Sequence, residues 1–488
     1  MIVTEKQQLK MLSSAEMQLL HEGSCSLLSR VGVKVTHAGI AALLLASGAQ
    51  CKGDRIMLPQ DMVKNALAQS ARIIQFEAPD PAYSFTVNGP ENQVKFGTGG
   101  QALYVVQRTS NGWVRKSAGT DDLKQIIVLC NQLKQVDFIT RPVECDLPDE
   151  QKDVAKAAVF RRYCSKPINL ANLVKLARLA EVLEIIGNRA HLSFIISLVS
   201  SPLVMDSSAG DKFVAIVQKD IPVAISSCPQ GGSTAPFSEV GELLQLNAEL
   251  LFGFVLANVV RPGAKVLYRG IPITANLYSD ASPRWCQPDS IRRVALAAQL
   301  CRFYNLPCCG TAGVSDQAVP SAQGISEKVL SWVYEAACGG QYINSALGML
   351  EQVMSVSYYQ YVIDDIALGI VKEKFSKAQS LAISQLALSA ALEVLGCFGI
   401  EPDEKMEAEL SARIRHIENG LEPYNETYIE DQLAVIEKAV NKSSSTVFMK
   451  AARKGLREGY LYKGARLDAS LDLAAVAERL ESSEGLGT

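Results

Sequence analysis

Between residues 94 and 374 the sequence alternates short β-rich apolar runs with longer stretches of helical period, and it does so eight times. The runs are 94–106, 138–144, 167–173, 192–199, 222–227, 265–271, 306–311 and 341–347. Between them lie stretches such as 289–303, where Val294, Ala297, Ala298 and Cys301 recur at i, i+3, i+4 and i+7 and would cover one helix face. Asp289, after Pro288, and Thr120, ahead of Asp121 and Asp122, are the expected caps of two such helices. Serial βα units argue for a parallel sheet, and eight of them is the number that closes a barrel. The rival, an open doubly wound sheet, asks for a glycine-rich dinucleotide loop after its first strand. Gly97-Thr-Gly-Gly-Gln101 lacks the GxGxxG spacing and opens no helix. The expected fold is an α/β TIM (β/α)8 barrel over 91–375. Ahead of it, 1–90 forms a cap with helices at 14–30, 38–46 and 60–69 and a turn-rich extended stretch over 78–89. Behind it, 376–488 is helical in period and ends in a charged tail, 482–488, expected to fray.

At 488 residues, 48% of them hydrophobic and 20% charged, the chain can bury a large core and is no disordered linker. Acidic residues outnumber basic ones 51 to 48, a net charge of −3, with no run of Lys and Arg, so nucleic acid is not an expected partner. The longest apolar runs, such as 250–260, break at Gly253 and Asn258, short of the about 20 residues that span a bilayer. The first residues carry no apolar signal core. A cytoplasmic protein with no membrane partner is expected. Twelve cysteines form no CxxC pair and sit mostly in apolar segments, the pattern of buried free thiols.

In a barrel the residues that follow each strand converge on one mouth. The strand ends supply Gln101 and Tyr104, Glu144 and Asp146, Asn169 and Asn172, Ser197 and Ser200, Gln230, Arg269, Asp316, and Asn344 with Glu351. None of His21, His37, His191 and His416 falls at a strand end, so the imidazole needed for Ser/His/Asp or Cys/His nucleophilic catalysis is missing there. A His-based metal centre fails for the same reason, and no GxxxxGK[ST] loop holds nucleotide phosphate. Glu144 and Asp146, two apart, would point the same way and raise each other's pKa as an acid and base do, or else form a salt bridge at the rim. Arg269 is either a fork for a substrate carboxylate or the partner of a neighbouring acid. Cys228, Cys308 and Cys309 could hold zinc with Glu144 or Asp316, against which their spacing is diffuse, and buried strand thiols are the other reading. Tyr358, Tyr359 and Tyr361 are either an electron-rich wall for a quaternary ammonium, held by cation–π contact, or the packed start of a helix.

Several motifs carry a resemblance: Cys228-Pro-Gln-Gly-Gly-Ser-Thr-Ala-Pro236, Tyr268-Arg-Gly-Ile-Pro272, Ala297-Ala-Gln-Leu-Cys-Arg-Phe-Tyr-Asn-Leu-Pro307, Ser315-Asp316, Ala322-Gln323 with Glu327-Lys328, Tyr361-Val-Ile-Asp-Asp365, Phe96-Gly-Thr-Gly-Gly100 and Gly32-Val-Lys-Val35. Over about residues 15 to 400 the chain resembles the corrinoid-dependent trimethylamine methyltransferase family. The resemblance implies a TIM barrel whose mouth receives a small methylated amine and then docks a separate corrinoid protein, with no cofactor held tightly by this chain. Trimethylamine enzymes of the family carry pyrrolysine. This sequence has only the twenty standard residues, which points to the branch that demethylates quaternary amines of the glycine betaine type. The resemblance casts Gln101, Tyr104, Glu144, Asn169, Gln230, Arg269, Cys309, Asp316, Asn344, Glu351 and Tyr358 as substrate-binding candidates, with no certain catalytic residue and no metal ligand. Cys309 stands where betaine-using relatives often have a basic residue and Asn344 where they often have histidine; Arg269, at a position that tends to be small, would restore a carboxylate contact. The alternatives are a zinc-thiolate methyltransferase for a methyl thiol or methoxyl substrate and a catalytically silent amine-binding barrel. A homo-oligomer is expected. The segment after about Gly420 diverges from the family.

Overall fold

Backbone pairing follows the alternation of the sequence. Ile139–Thr140 pairs in parallel with Ile168–Asn169, that strand with Leu192–Ile196, that with Val223–Ser227 and that with Val266–Gly270. Parallel bridges then join Tyr268 to Cys308 and Thr311 to Asn344. Tyr342–Leu347 pairs in parallel with Lys95–Thr98, and Gly97 bridges in parallel to Phe138. In chain order these are the first (Lys95–Thr98), second (Ile139–Thr140), third (Ile168–Asn169), fourth (Leu192–Ile196), fifth (Val223–Ser227), sixth (Val266–Gly270), seventh (308–311) and eighth (Tyr342–Leu347) parallel segments. A helix follows each of them, from Thr120–Gln132 after the first to Tyr358–Lys377 after the eighth. In this computed structural model the described residues are 1–91, 93–143, 146–277, 282–378, 381–420, 422–442, 447, 448, 450, 464–467, 469–474 and 476. Glu144 and the tail 482–488 lie outside them.

Side chains along a strand alternate between its two faces, and here the two faces belong to different cores. Ile139, Phe194, Ile225, Tyr268, Cys308 and Ile343 join the main core shared with the helices. The alternate set, Phe138, Ala224, Leu267, Cys309 and Tyr342, forms a second cluster with Ile74, Phe76, Phe85 and Val87. These last four come from an antiparallel hairpin, Ile74–Phe76 with Phe85–Val87, so the stretch over 78–89 is the turn and second strand of a plug. Phe138 stacks on Tyr342 with centroids 3.6 Å apart, and Phe76 on Tyr342 at 4.9 Å.

Three expectations change. The run 94–106 is two strands: the chain leaves the first segment through Gly99 and Gly100, where a Cβ would strike Met349 or crowd Thr140, and turns at Gln101 with φ 71°. It then forms an antiparallel hairpin of Tyr104–Thr109 with Gly112–Ser117. The helix caps sit one or two residues early, at Gly119 and Gln287, because Pro288 takes the first helical position. The Thr120 hydroxyl instead donates to Asp146 at 2.7 Å. Finally, the helix Glu239–Val260 is long and apolar enough to cross a membrane by length, yet it lies inside the fold with Glu242, Asn247 and Glu249 buried along it.

The flanking helices Ser14–Arg30, Ala38–Ala46 and Gln60–Gln69 stand where the sequence places them. After residue 376 come Ile383–Cys397, Glu404–Glu418 and Glu426–Lys442. Removing the ring of Phe76, which is 2% exposed, leaves a cavity in the second cluster. Phe76→Ala is expected to lower unfolding stability by about 3–5 kcal/mol, measured by denaturant titration; a loss below about 1 kcal/mol would show that the hairpin is not a packed plug.

Candidate functional site

A cleft of about 210 Å³ opens where seven of the eight parallel segments end. Gly100 and Gln101 follow the first segment, Thr140 closes the second, Ala171 and Asn172 follow the third and Ser197 the fourth. Ser226 and Cys228 come from the end of the fifth, Arg269 and Ile271 from that of the sixth, and Asn344 and Ser345 from the eighth. Trp285 and Val353 reach in from loops. Among the described residues, four of the ten non-glycine residues with positive φ line this cleft: Gln101 (71°), Ala171 (53°), Ser345 (63°) and Val353 (68°). Such conformations cost about 1–3 kcal/mol each and persist where function holds them, so the strain marks this cleft.

The lining mixes polar with apolar side chains, and its polar groups are tied together. Asn344 Nδ2 donates to Thr140 Oγ1 at 2.5 Å, Thr98 Oγ1 to the Thr140 carbonyl at 2.6 Å and Ser345 Oγ to Asn344 Oδ1 at 3.0 Å. Arg269 is 8% exposed. Its Nη1 donates to Ser226 Oγ at 2.7 Å, while its Nε is buried without a hydrogen-bond partner. Among the described residues no carboxylate lies within ion-pair distance of this guanidinium, and no Asp, Glu or His lines the cleft.

Of the residues expected at the mouth, Gln101, Arg269 and Asn344 come together here; Asn172 and Ser197, from the same strand ends, join them. Asn169, in register with Thr140, does not line the cleft; its Oδ1 accepts from the Ala171 amide at 2.7 Å and its Nδ2 reaches the Tyr342 hydroxyl at 3.4 Å. Cys309 lies in the second apolar cluster. Burial pushes its thiol up to about 12, against the pull of the neighbouring Arg269. Gln230 heads a turn, its carbonyl accepting from the amides of Ser233, Thr234 and Ala235. Asp316 accepts from the amides of Trp285 (2.9 Å) and Cys286 (3.3 Å), so it holds the loop that carries Trp285. Tyr104 and Glu351 clasp Arg115 between them, the guanidinium 3.6 Å from the ring centroid and ion-paired with the carboxylate.

The aromatic wall at the eighth segment is helix packing. The Tyr358 hydroxyl lies within hydrogen-bond distance of Asp122 (2.9 Å) and Gln125 (3.0 Å), its one hydrogen shared between them, Tyr359 meets the edge of Trp113 and Tyr361 is fully buried. Glu144 lies outside the described residues, and its neighbour Asp146 titrates below the usual carboxylate range, held there by the hydroxyl and amide of Thr120. That is opposite to the mutual raising expected of the pair. The three thiols considered for zinc point to three places. Strand alternation sends Cys308 to the main core and Cys309 to the second cluster, and Cys228 is on the cleft wall. Among the described residues no three His, Cys, Asp or Glu side chains gather as a metal site. Sequence reasoning missed Trp285, the aromatic side chain that does line the cleft. Its signal was a lone Trp in the loop after the sixth segment, Ser282-Pro-Arg-Trp285.

The described residues form an α/β protein with a small cleft at the C-terminal ends of parallel strands. A family model described as trimethylamine methyltransferase (MTTB) matches residues 1–397, and the chain belongs to that family. Among its relatives is the glycine betaine methyltransferase of Desulfitobacterium hafniense (strain Y51), 22% identical over 371 residues covering 74% of this chain and 76% of the relative. The trimethylamine methyltransferase MttB2 of Methanosarcina mazei is 24% identical over 382 residues, covering 75% and 76%. The MttB of Desulfitobacterium hafniense (strain DSM 10664 / DCB-2) is 24% identical over 373 residues, covering 74% of each. The chain is a methyltransferase of this family.

The strain at the cleft has a measurable sign. Glycine accepts positive φ without penalty, so Gln101→Gly is expected to raise stability by about 1 kcal/mol while weakening ligand binding. A destabilised Gln101→Gly protein, in chemical denaturation, would contradict the strained geometry.

Proposed function

We propose that this chain demethylates a quaternary amine that carries a carboxylate, passing the methyl group to the Co(I) corrinoid of a separate carrier protein, and that its eight parallel segments close as a (β/α)8 barrel. The barrel is supported by the pairing order, which runs from the first segment through the eighth and back to the first. The reaction is supported by the family, and the substrate class by one observation above others: a buried guanidinium in the cleft that forms no ion pair with any described carboxylate, Glu335 being near enough only to feel its charge. Leaving a buried charge uncompensated is costly. A ligand carboxylate completes the Arg269 fork in the paired geometry that arginine favours. A bare trimethylammonium, with only positive charge to offer, would be repelled by Arg269. The Trp285 ring supplies the face that a quaternary nitrogen prefers.

The residues present fit this division of labour. At about 210 Å³ the cleft falls below the roughly 300–1,000 Å³ of sites for drug-sized ligands, so it suits a small amine and leaves the corrin macrocycle on its carrier. A corrinoid on a docked carrier would supply the nucleophile for the methyl group, the electron pair of the C–N bond being left on nitrogen. No proton has to move in that step. Correspondingly, His21, His37 and His416 bond Tyr304, Asp211 and Asp289, and His191 is near Asn188, all away from the cleft. What the chain's own side chains do is orient: Arg269 fixes the carboxylate end, Gln101, Asn172 and Asn344 surround the middle, and the closed lower layer excludes water from below.

The test is methyl transfer from glycine betaine to reduced corrinoid, followed by absorbance, with the full chain and its Arg269→Ala variant. Losing a charge-assisted pair of about 1.5–3 kcal/mol is expected to weaken betaine binding by about 10- to 100-fold, and Arg269→Lys is expected to recover only part. Unchanged betaine affinity in Arg269→Ala, or transfer from amines without a carboxylate alone, would overturn the reading.

A further inference from the structure

Behind the cleft wall, between the helices and the end of the seventh segment, lies an enclosed cavity of about 10 Å³. Trp285 borders both spaces, so it is the partition between them. Three side-chain atoms among the residues lining the small cavity are buried without hydrogen-bond partners: the indole Nε1 of Trp285, Oγ1 of Thr311 and Oε2 of Glu335. They are chemically matched. The indole is an obligate donor, the hydroxyl donates or accepts, and the carboxyl, which burial pushes up well above the usual carboxylate range, accepts or, protonated, donates. A volume of about 10 Å³ corresponds to one water, and buried waters make about three hydrogen bonds.

The slot that holds Glu335 is built for it. The residue is 2% exposed, and a Cβ on Gly310 would come within 2.2 Å of its Oε1, one on Gly340 within 2.8 Å of its Cγ. Two glycines therefore admit this carboxyl, and any side chain at either would expel or displace it. The Thr311 amide hydrogen-bonds the same carboxyl. The far side of the Trp285 loop is fixed by Asp316 through the amides of Trp285 and Cys286.

We propose that Glu335 is a positioning residue: through one buried water shared with Thr311 Oγ1 and the Trp285 indole N–H, it holds the Trp285 ring on the cleft wall in the orientation that meets the substrate's ammonium. The water accepts from the indole and bonds Thr311 Oγ1 and Glu335 Oε2, the latter on a carboxyl that burial holds above the usual carboxylate range and that can donate, so all three orphaned atoms are satisfied. Glu335 itself touches no substrate. This rests on the cleft being the amine site, and the test separates the two claims.

The experiment uses full-length protein labelled with ¹⁵N-tryptophan. The chain has three Trp residues, so the three indole resonances can be resolved and Trp285→Phe identifies one of them. Glu335→Leu removes the acceptor, and Glu335→Gln keeps one. Glu335→Leu is expected to move the Trp285 indole resonance and to raise the glycine betaine dissociation constant by about tenfold. Glu335→Gln is expected to return the resonance toward wild type and give an intermediate affinity. A folded Glu335→Leu protein with an unmoved resonance overturns the proposal, as does a moved resonance with unchanged affinity. If Glu335→Leu fails to fold, Thr311→Val, which removes the hydroxyl, is read by the same two criteria. If wild-type protein binds no betaine, the reading of the cleft as the amine site falls, while the resonance still decides whether the water bridge exists.

Discussion

The stack of Phe138 on Tyr342, 3.6 Å between centroids, sets the level on which the cleft is built. Along a strand, the next side chain on the same face is two residues on. Phe138 is followed by Thr140, Ala224 by Ser226, Leu267 by Arg269, Cys309 by Thr311 and Tyr342 by Asn344. One apolar layer is thus capped by one polar layer on five segments at once. The hairpin that carries Phe76 and Phe85 closes the apolar layer from the other side. Aromatic pairs of this kind are worth about 0.5–1.5 kcal/mol each beyond the area they bury, and the area itself contributes more. The lower layer is therefore the rigid floor that lets the upper one carry strain.

Among the described residues that line the cleft above that floor, the cation is Arg269. A buried guanidinium that donates to Ser226 and leaves its Nε unpartnered is unfavourable in isolation. Its persistence, beside four strained backbone positions, argues that this protein trades stability for readiness to bind. The thiols around it stay protonated: burial pushes both Cys228 and Cys309 up to about 12. Cys228 is open to water yet walled closely by protein, which is why its thiolate is disfavoured. The cleft thus offers one positive fork, several amides and hydroxyls, and one indole ring, with no described carboxylate in its lining.

Much of this was legible in the sequence. The alternation of runs placed all eight parallel segments, and helical period placed the three amino-terminal helices. Strand ends pointed to Gln101, Arg269 and Asn344, because parallel strands with helical crossovers leave their carboxyl ends on one side. The misses have physical causes. Gln101 takes a left-handed turn that no β-propensity reveals, so Tyr104 was carried onto the adjacent hairpin. Tyr358 and Glu351 lie close to the eighth segment in sequence, yet their polar groups are satisfied by Asp122, Gln125 and Arg115. Trp285 sits on an irregular loop, where period carries no information and a tertiary contact of Asp316 with the Trp285 and Cys286 amides fixes the backbone. The second cluster could not be foreseen either, since it needs a hairpin from before residue 90 to meet strands as late as Tyr342.

The account stands on recognition of both ends of one zwitterion. Calorimetric titration of the wild-type chain with glycine betaine and with choline tests this directly, because the two share a trimethylammonium group and differ in carboxylate against hydroxyl. Binding of glycine betaine at least about tenfold tighter than choline, in line with a charge-assisted arginine contact, is the result predicted. Equal affinities, or a preference for choline, would contradict it.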